Sequence, residues 1–183
     1  MEKYLIVTDT TSAMNKEIAA AHGIELISLS VIVDGQEYKD QVDISTEQLY
    51  DYLKDGKTPS TSQPNTGYLI EKMEAWQKEN YEAIIVVTCS ADLSGTNNGF
   101  HLAKDTVGLD NVYIYDSRQV GAPVMDMAIR AKQLADEGKD VDEIFKVLEE
   151  KQNILFLSYT LIILINYHAV VVYPLWLRVW LLC

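Results

Sequence analysis

Ala83-Ile84-Ile85-Val86-Val87-Thr88-Cys89 is an unbroken apolar run, short and rich in β-branched residues. A strand with one wet face alternates apolar and polar side chains. A run without alternation is the pattern of a strand covered on both faces, as in a parallel sheet sandwiched between helices. Tyr4 to Thr8 repeats the pattern and closes on the polar turn Asp9-Thr10-Thr11-Ser12. Asn111 to Tyr115, ending in Asp116-Ser117, is a third such strand, and Ile154 to Ser158 a fourth. Helical stretches fall between them. Asn15 to His22 stops at Gly23, Ser45 and Gln48 form a capping box that opens a helix to about Lys54, and Tyr68 to Glu79 and Thr96 to Val107 follow. Val120 to Glu137 is a long helix ended by Gly138, and Val141 to Glu150 carries Ile144, Val147 and Leu148 on one face. Glu25 to Val33 reads as one β run that turns at Asp34-Gly35 into a hairpin arm, Gln36 to Lys39, while Lys57 to Gly67 has loop chemistry. Strands alternating with helices predict an α/β fold with a parallel sheet flanked by helices and right-handed crossovers.

The 183 residues allow one domain of ordinary size, and the net charge of −12, from 27 acidic against 15 basic side chains, comes without a basic cluster. Such a surface repels phosphate backbones, so nucleic acid is excluded as a partner. Cys89 and Cys183 form no CxxC or Cys/His pattern, and Met1-Glu2-Lys3 leads straight into a strand without the segments of a secretion signal. Both features fit the cytoplasm.

Ligands of open parallel sheets bind at the carboxyl ends of the strands. Polar loops fall there at Asp9 to Ser12, Ser90 to Gly95 and Asp116-Ser117, and a fourth, Ser60 to Asn65, precedes a helix. Hydroxyls and helix N-termini together make an anion site. Thr61 and Ser62 place two adjacent hydroxyls before a helix, where they can donate to an anion without burying a charge. Helix capping by Asn65 or Thr66 is the competing reading, and residue chemistry by itself favours it. Ser94-Gly95-Thr96 presents the same pair of readings, with Gly95 allowing close backbone approach. For Asp9, a turn-forming side-chain contact competes with metal ligation. His22, His101 and His168 lie far apart and belong to no nucleophilic triad, and no Gly-x-Ser-x-Gly elbow or phosphate-binding loop occurs. Catalysis is thus poorly supported and the expectation is a binding protein, not an enzyme, with no metal or cofactor; an enzyme acting on a small phosphate or carboxylate through the same loops, and a membrane-tethered interaction domain, are the alternatives.

From Leu161 to Cys183 the chain is nearly all apolar, with Arg178 its only basic residue. A bilayer-spanning helix, a buried pair of strands and an end translated out of frame are the three readings. Asn166, His168, Pro174 and the run Val170-Val171-Val172 weigh against a membrane span.

Taken together the segments resemble the DegV family. The resemblance rests on Ile6-Val7-Thr8-Asp9-Thr10-Thr11-Ser12, Gly23-Ile24-Glu25-Leu26-Ile27, Val31-Ile32-Val33-Asp34-Gly35, Tyr38-Lys39-Asp40 and Val42-Asp43-Ile44. It continues through Thr61-Ser62-Gln63-Pro64, Leu93-Ser94-Gly95-Thr96 and Tyr115-Asp116-Ser117. It implies a bacterial protein that binds a long-chain fatty acid and presents it to the separate ATP-binding subunit of a fatty acid kinase. It also implies two domains, an α/β first domain and a second that closes over the acyl chain. Thr61, Ser62 and Ser94 match the hydroxyl donors to the carboxylate, with Gly95 and Thr96 in the same loop. Gly121-Ala122-Pro123 departs from the family's glycine-rich helix start. After Leu157-Ser158-Tyr159-Thr160, the family's polar Gly-Gly-Arg stretch is replaced by Leu161-Ile162-Ile163-Leu164. The expectation is therefore a DegV-like first domain over residues 1–160, an aberrant tail over 161–183, a missing second domain, and weak or absent lipid binding through truncation.

Overall fold

The computed structural model describes residues 3–154. Its centre is a four-stranded, wholly parallel sheet of β1 (Tyr4–Asp9), β2 (Ile24–Ile27), β6 (Ala83–Thr88) and β7 (Val112–Asp116), in the order β2-β1-β6-β7. Every residue of β1 and β6 is buried, as their unbroken apolar character requires of central strands covered on both faces. Side chains alternate between the faces. Leu5 and Val7 of β1 and Ile84 and Val86 of β6 meet Leu69, Met73 and Trp76 of α3 (Thr66–Lys78) and Phe100 and Ala103 of α4 (Thr96–Val107). Helix α5 (Ala122–Asp136) packs on β1 and β6 with Val124, Met127, Ala128 and Ala131 buried, and so covers the opposite face. A Cβ at Gly99 would meet Leu69 Cδ1 at 3.3 Å, so glycine there allows α3 and α4 their close approach.

Helix α1 (Lys16–His22) starts at Asn15, whose side chain accepts the Ile18 amide, and ends at Gly23 in the left-handed conformation that a stop of this kind needs. Helix α2 (Thr46–Lys54) opens with the complete Ser45/Gln48 capping box. A further helix, α6, spans residues 141–154, with Ile144 and Leu148 buried.

Three expectations are corrected. The run from Glu25 to Val33 is not one strand. It breaks at Ser28-Leu29 into β2, in the parallel sheet, and β3 (Ser30–Val33), in a separate antiparallel sheet ordered β4-β3-β5. The break is held from outside the run, because the Leu29 amide donates to Thr10 Oγ1 and its carbonyl accepts the Asp40 amide. Strand β4 (Gln36–Lys39) is the expected hairpin arm. Strand β5 (Ser60–Ser62) lies inside the stretch read as loop, paired with β3 through Ser30–Ser62 and Val31–Thr61. Residue 154 is helical, not the start of a strand, and residues 155–158 lie outside the described residues. The tail 161–183 and the boundary expected at 160/161 also lie outside them. The described residues up to Leu148 form one compact unit, and among the described residues no helix is long and apolar enough to cross a membrane.

Candidate functional site

The chain leaves β1 toward β2 on one side and later enters β6 on the other. The sheet's order therefore reverses between β1 and β6, where strand ends open a crevice. A cleft of about 420 Å³ lies there. Thr11 comes to it from the turn after β1, Thr61 and Ser62 from β5, Gln63 from the turn that follows, and Cys89, Ser94 and Gly95 from the end of β6 and the start of α4. Leu29, Leu93 and Val120 supply its apolar lining. Leu93 and Val120 are 69% and 55% exposed, so the cleft opens to solvent between bare apolar side chains.

Four of the five residues expected at the site, Thr61, Ser62, Ser94 and Gly95, line this cleft. The fifth, Thr96, does not line it. It is fully buried behind Ser94, whose Oγ is 2.9 Å from Thr96 Oγ1 and accepts the Thr96 amide at 3.2 Å. Thr96 therefore orients the serine and is too deep to touch a ligand. Capping of α3 falls to Asn65, whose Oδ1 accepts the Gly67 amide at 2.8 Å, leaving Thr61 and Ser62 exposed on β5.

Asp9 makes the turn contact anticipated for it. Oδ1 accepts both the amide and the hydroxyl of Thr11, and the Asp9 carbonyl accepts Ser12 Oγ at 2.7 Å. The carboxyl is wholly buried, and Oδ2 has no hydrogen-bond partner. Burial pushes its pKa up, against the pull of the Thr11 hydroxyl and amide and the nearby Cys89 amide, which makes no hydrogen bond of ordinary geometry to Oδ2. Burial likewise raises the Cys89 thiol, reinforced by the Asp9 charge and opposed by the hydroxyls of Thr11 and Ser94. The thiol stays protonated and is a poor nucleophile.

The floor is tied together by polar contacts. Asn97 Nδ2 donates to Thr88 Oγ1 at 2.9 Å, and Thr88 Oγ1 donates to the Tyr115 carbonyl at 3.3 Å. Asp116 and Ser117 hold loops and do not line the cleft. Asp116 Oδ1 accepts the amides of Ala91 and Arg118, and Ser117 Oγ accepts that of Gln119. Gly121, in the segment that departs from the family pattern, donates its amide to the Thr11 carbonyl at 2.8 Å and so braces the wall. Reading residues one at a time missed Gln63, Leu29, Leu93 and Val120 as lining. A glutamine or leucine in a loop has no local pattern that marks it. Among the described residues no group of three or more His, Cys, Asp or Glu is placed to hold a metal ion.

Comparison with known proteins agrees with this architecture. The DegV family model, described as an uncharacterised protein family, matches residues 3–164. A DegV domain-containing protein of Staphylococcus aureus is 36% identical over 155 residues, covering 84% of this chain and 55% of the relative. One from Caldanaerobacter subterraneus is 31% identical over 82% of this chain and 53% of its own length. The chain thus spans about half the length of the curated relatives it matches. Among solved structures, DegV from Bacillus subtilis, described as a fatty acid binding protein, superposes with a TM-score of 0.75 at 29% identity, over 84% of this chain and 55% of its own. A DegV family protein from Thermus thermophilus, described by its fatty acid binding, gives 0.74 at 25% identity over 82% and 54%. With the family pattern running from β1 past the last described helix, this chain belongs to the DegV family.

Proposed function

We propose that the chain binds a long-chain fatty acid, with its carboxylate held by the hydroxyls of Thr61, Ser62 and Ser94. The observation that carries the reading is that these three residues, from two separate elements, line one cleft rimmed by exposed Leu93 and Val120. Uncharged donors at the positive end of α4 suit a single negative charge, and they avoid the desolvation that a buried cation would suffer. They anchor the head group without much affinity of their own. Most of the binding free energy then comes from the chain, at about 0.8 kcal/mol for each methylene removed from water. The descriptions of the Bacillus subtilis and Thermus thermophilus relatives as fatty acid binding support the ligand class.

The reading is binding and not catalysis. Among the described residues the lining contains no histidine, carboxylate or amine to act as a general base, and the Cys89 thiol is held protonated. Presentation of the bound acid to the ATP-binding subunit of a fatty acid kinase, in the cytoplasm, extends the reading and is supported by the family resemblance.

The test is thermal unfolding of this chain with oleic acid and, in parallel, with oleyl alcohol. The acid raises the melting temperature in a concentration-dependent way and the alcohol does so far less, because the tail is shared and the carboxylate is not. Equal effects of the two, or none, contradict the reading.

A further inference from the structure

Gln63 follows the Thr61-Ser62 pair and lines the same cleft. Its carboxamide oxygen points end-on at the place a side chain on Gly95 would occupy. A Cβ built on Gly95 would stand 1.9 Å from Gln63 Oε1 and 3.0 Å from Cδ, but 3.8 Å from Nε2. The oxygen is thus turned to Gly95 and the nitrogen away from it. Gly95 has φ −70 and ψ −2, a right-handed conformation open to any residue. Contact with Gln63, not backbone freedom, is what position 95 requires of glycine.

Gly95 is also the N-cap of α4 and offers that helix no side-chain cap. The start of a 12-residue helix carries partial positive charge, so a carbonyl oxygen belongs there and an amide N–H does not. That fixes the sense of the carboxamide. Its oxygen is the end nearer the helix start, and the two N–H donors are the end farther from it. A carboxylate has about four lone-pair sites, and the hydroxyls of Thr61, Ser62 and Ser94 satisfy at most three.

We propose that Gln63 is a further head-group residue, with Oε1 seated against Gly95 at the α4 N-terminus and Nε2 donating to the ligand carboxylate. The proposal rests on the fatty-acid reading and specifies its site. It also gives Gly95 a role: the glycine is the seat on which the donor lies.

The test compares oleate dissociation constants of the whole chain, near neutral pH, for the wild type, Gln63→Glu, Gln63→Ala, Gly95→Ala, the Gly95→Ala/Gln63→Ala pair and Ser94→Ala. Gln63→Glu keeps the shape but turns the donor into a second anion, and is expected to weaken binding by about tenfold or more. Gln63→Ala weakens it less. Gly95→Ala weakens it by pushing Gln63 off its seat, and therefore adds little once Gln63 is already alanine. Gln63 is exposed, so Gln63→Ala and Gln63→Glu are expected to keep the wild-type melting temperature without ligand. Wild-type affinity in Gln63→Glu, or an equal effect of Gly95→Ala with and without Gln63, overturns the proposal. If Ser94→Ala weakens binding while Gln63→Glu does not, the role of Gln63 falls and the fatty-acid reading stands. If the wild type binds no oleate, both fall.

Discussion

Ser94 Oγ lies 2.9 Å from Thr96 Oγ1 and also takes the Thr96 amide hydrogen at 3.2 Å. The serine that faces the cleft is therefore aimed by a threonine that cannot reach it. Ser94→Ala removes a ligand donor and also strands a buried hydroxyl. We expect about 1 kcal/mol lower stability in urea unfolding and roughly tenfold weaker oleate binding. Thr96→Val leaves the cleft surface intact and frees only the orientation of Ser94. It should weaken binding less than Ser94→Ala does, and Thr96→Ser should restore it.

Asp9 combines complete burial with an unpartnered carboxylate oxygen. Its pKa is raised by burial, so the folded state holds its proton more tightly than the unfolded chain does. The stability this contributes is full below the ordinary carboxylate range and is lost as the pH rises from there through the elevated folded value. Asp9→Asn keeps an oxygen for the Thr11 amide and removes the buried charge. It should flatten this part of the stability–pH profile, so that the variant gains on the wild type as the pH rises, read from melting temperatures across a pH series.

Asn97 joins α4 to the sheet through Thr88 beneath the cleft. Asn97→Ala leaves the Thr88 hydroxyl without its donor in a buried place and opens a small void. A loss of about 1–3 kcal/mol is expected in urea unfolding. Oleate should restore part of the melting temperature, since ligand binds only the folded form.

Cys89 lines the cleft, yet its residue is only 2% exposed and its thiol pKa is raised by burial. Alkylation by iodoacetamide, followed at Cys89 by peptide mass spectrometry, should be at least about tenfold slower in the native chain than in urea. Bound oleate should slow it further. A native rate equal to the unfolded one contradicts the buried, protonated thiol.

Much of this was legible in the chain itself. Unbroken apolar character marks Tyr4–Thr8 and Ala83–Cys89 as central strands, and Ser45 with Gln48 announces α2, because these signals act within a few residues. Ser28-Leu29 carries no turn chemistry, and the break there depends on Thr10 and Asp40, which only the folded chain brings near. Ser60-Thr61-Ser62 has no strand pattern and pairs only because β3 offers an edge. The hydroxyls could be nominated from residue chemistry but not chosen over caps. The family pattern made the choice; the fold shows Asn65 capping α3, while Ser94 both lines the cleft and accepts the first amide of α4. The contact of Gln63 with Gly95 leaves no trace in either segment when each is read alone.

The most direct measurement is the carbon-13 resonance of carboxyl-labelled oleate bound to this chain, recorded for the wild type and for Thr61→Val, Ser62→Ala and Ser94→Ala. Hydroxyl donors converging on one carboxylate predict a single bound signal, resolved from free oleate, that moves or disappears in each variant. A bound signal that is the same in all four proteins would place the head group elsewhere and contradict the site.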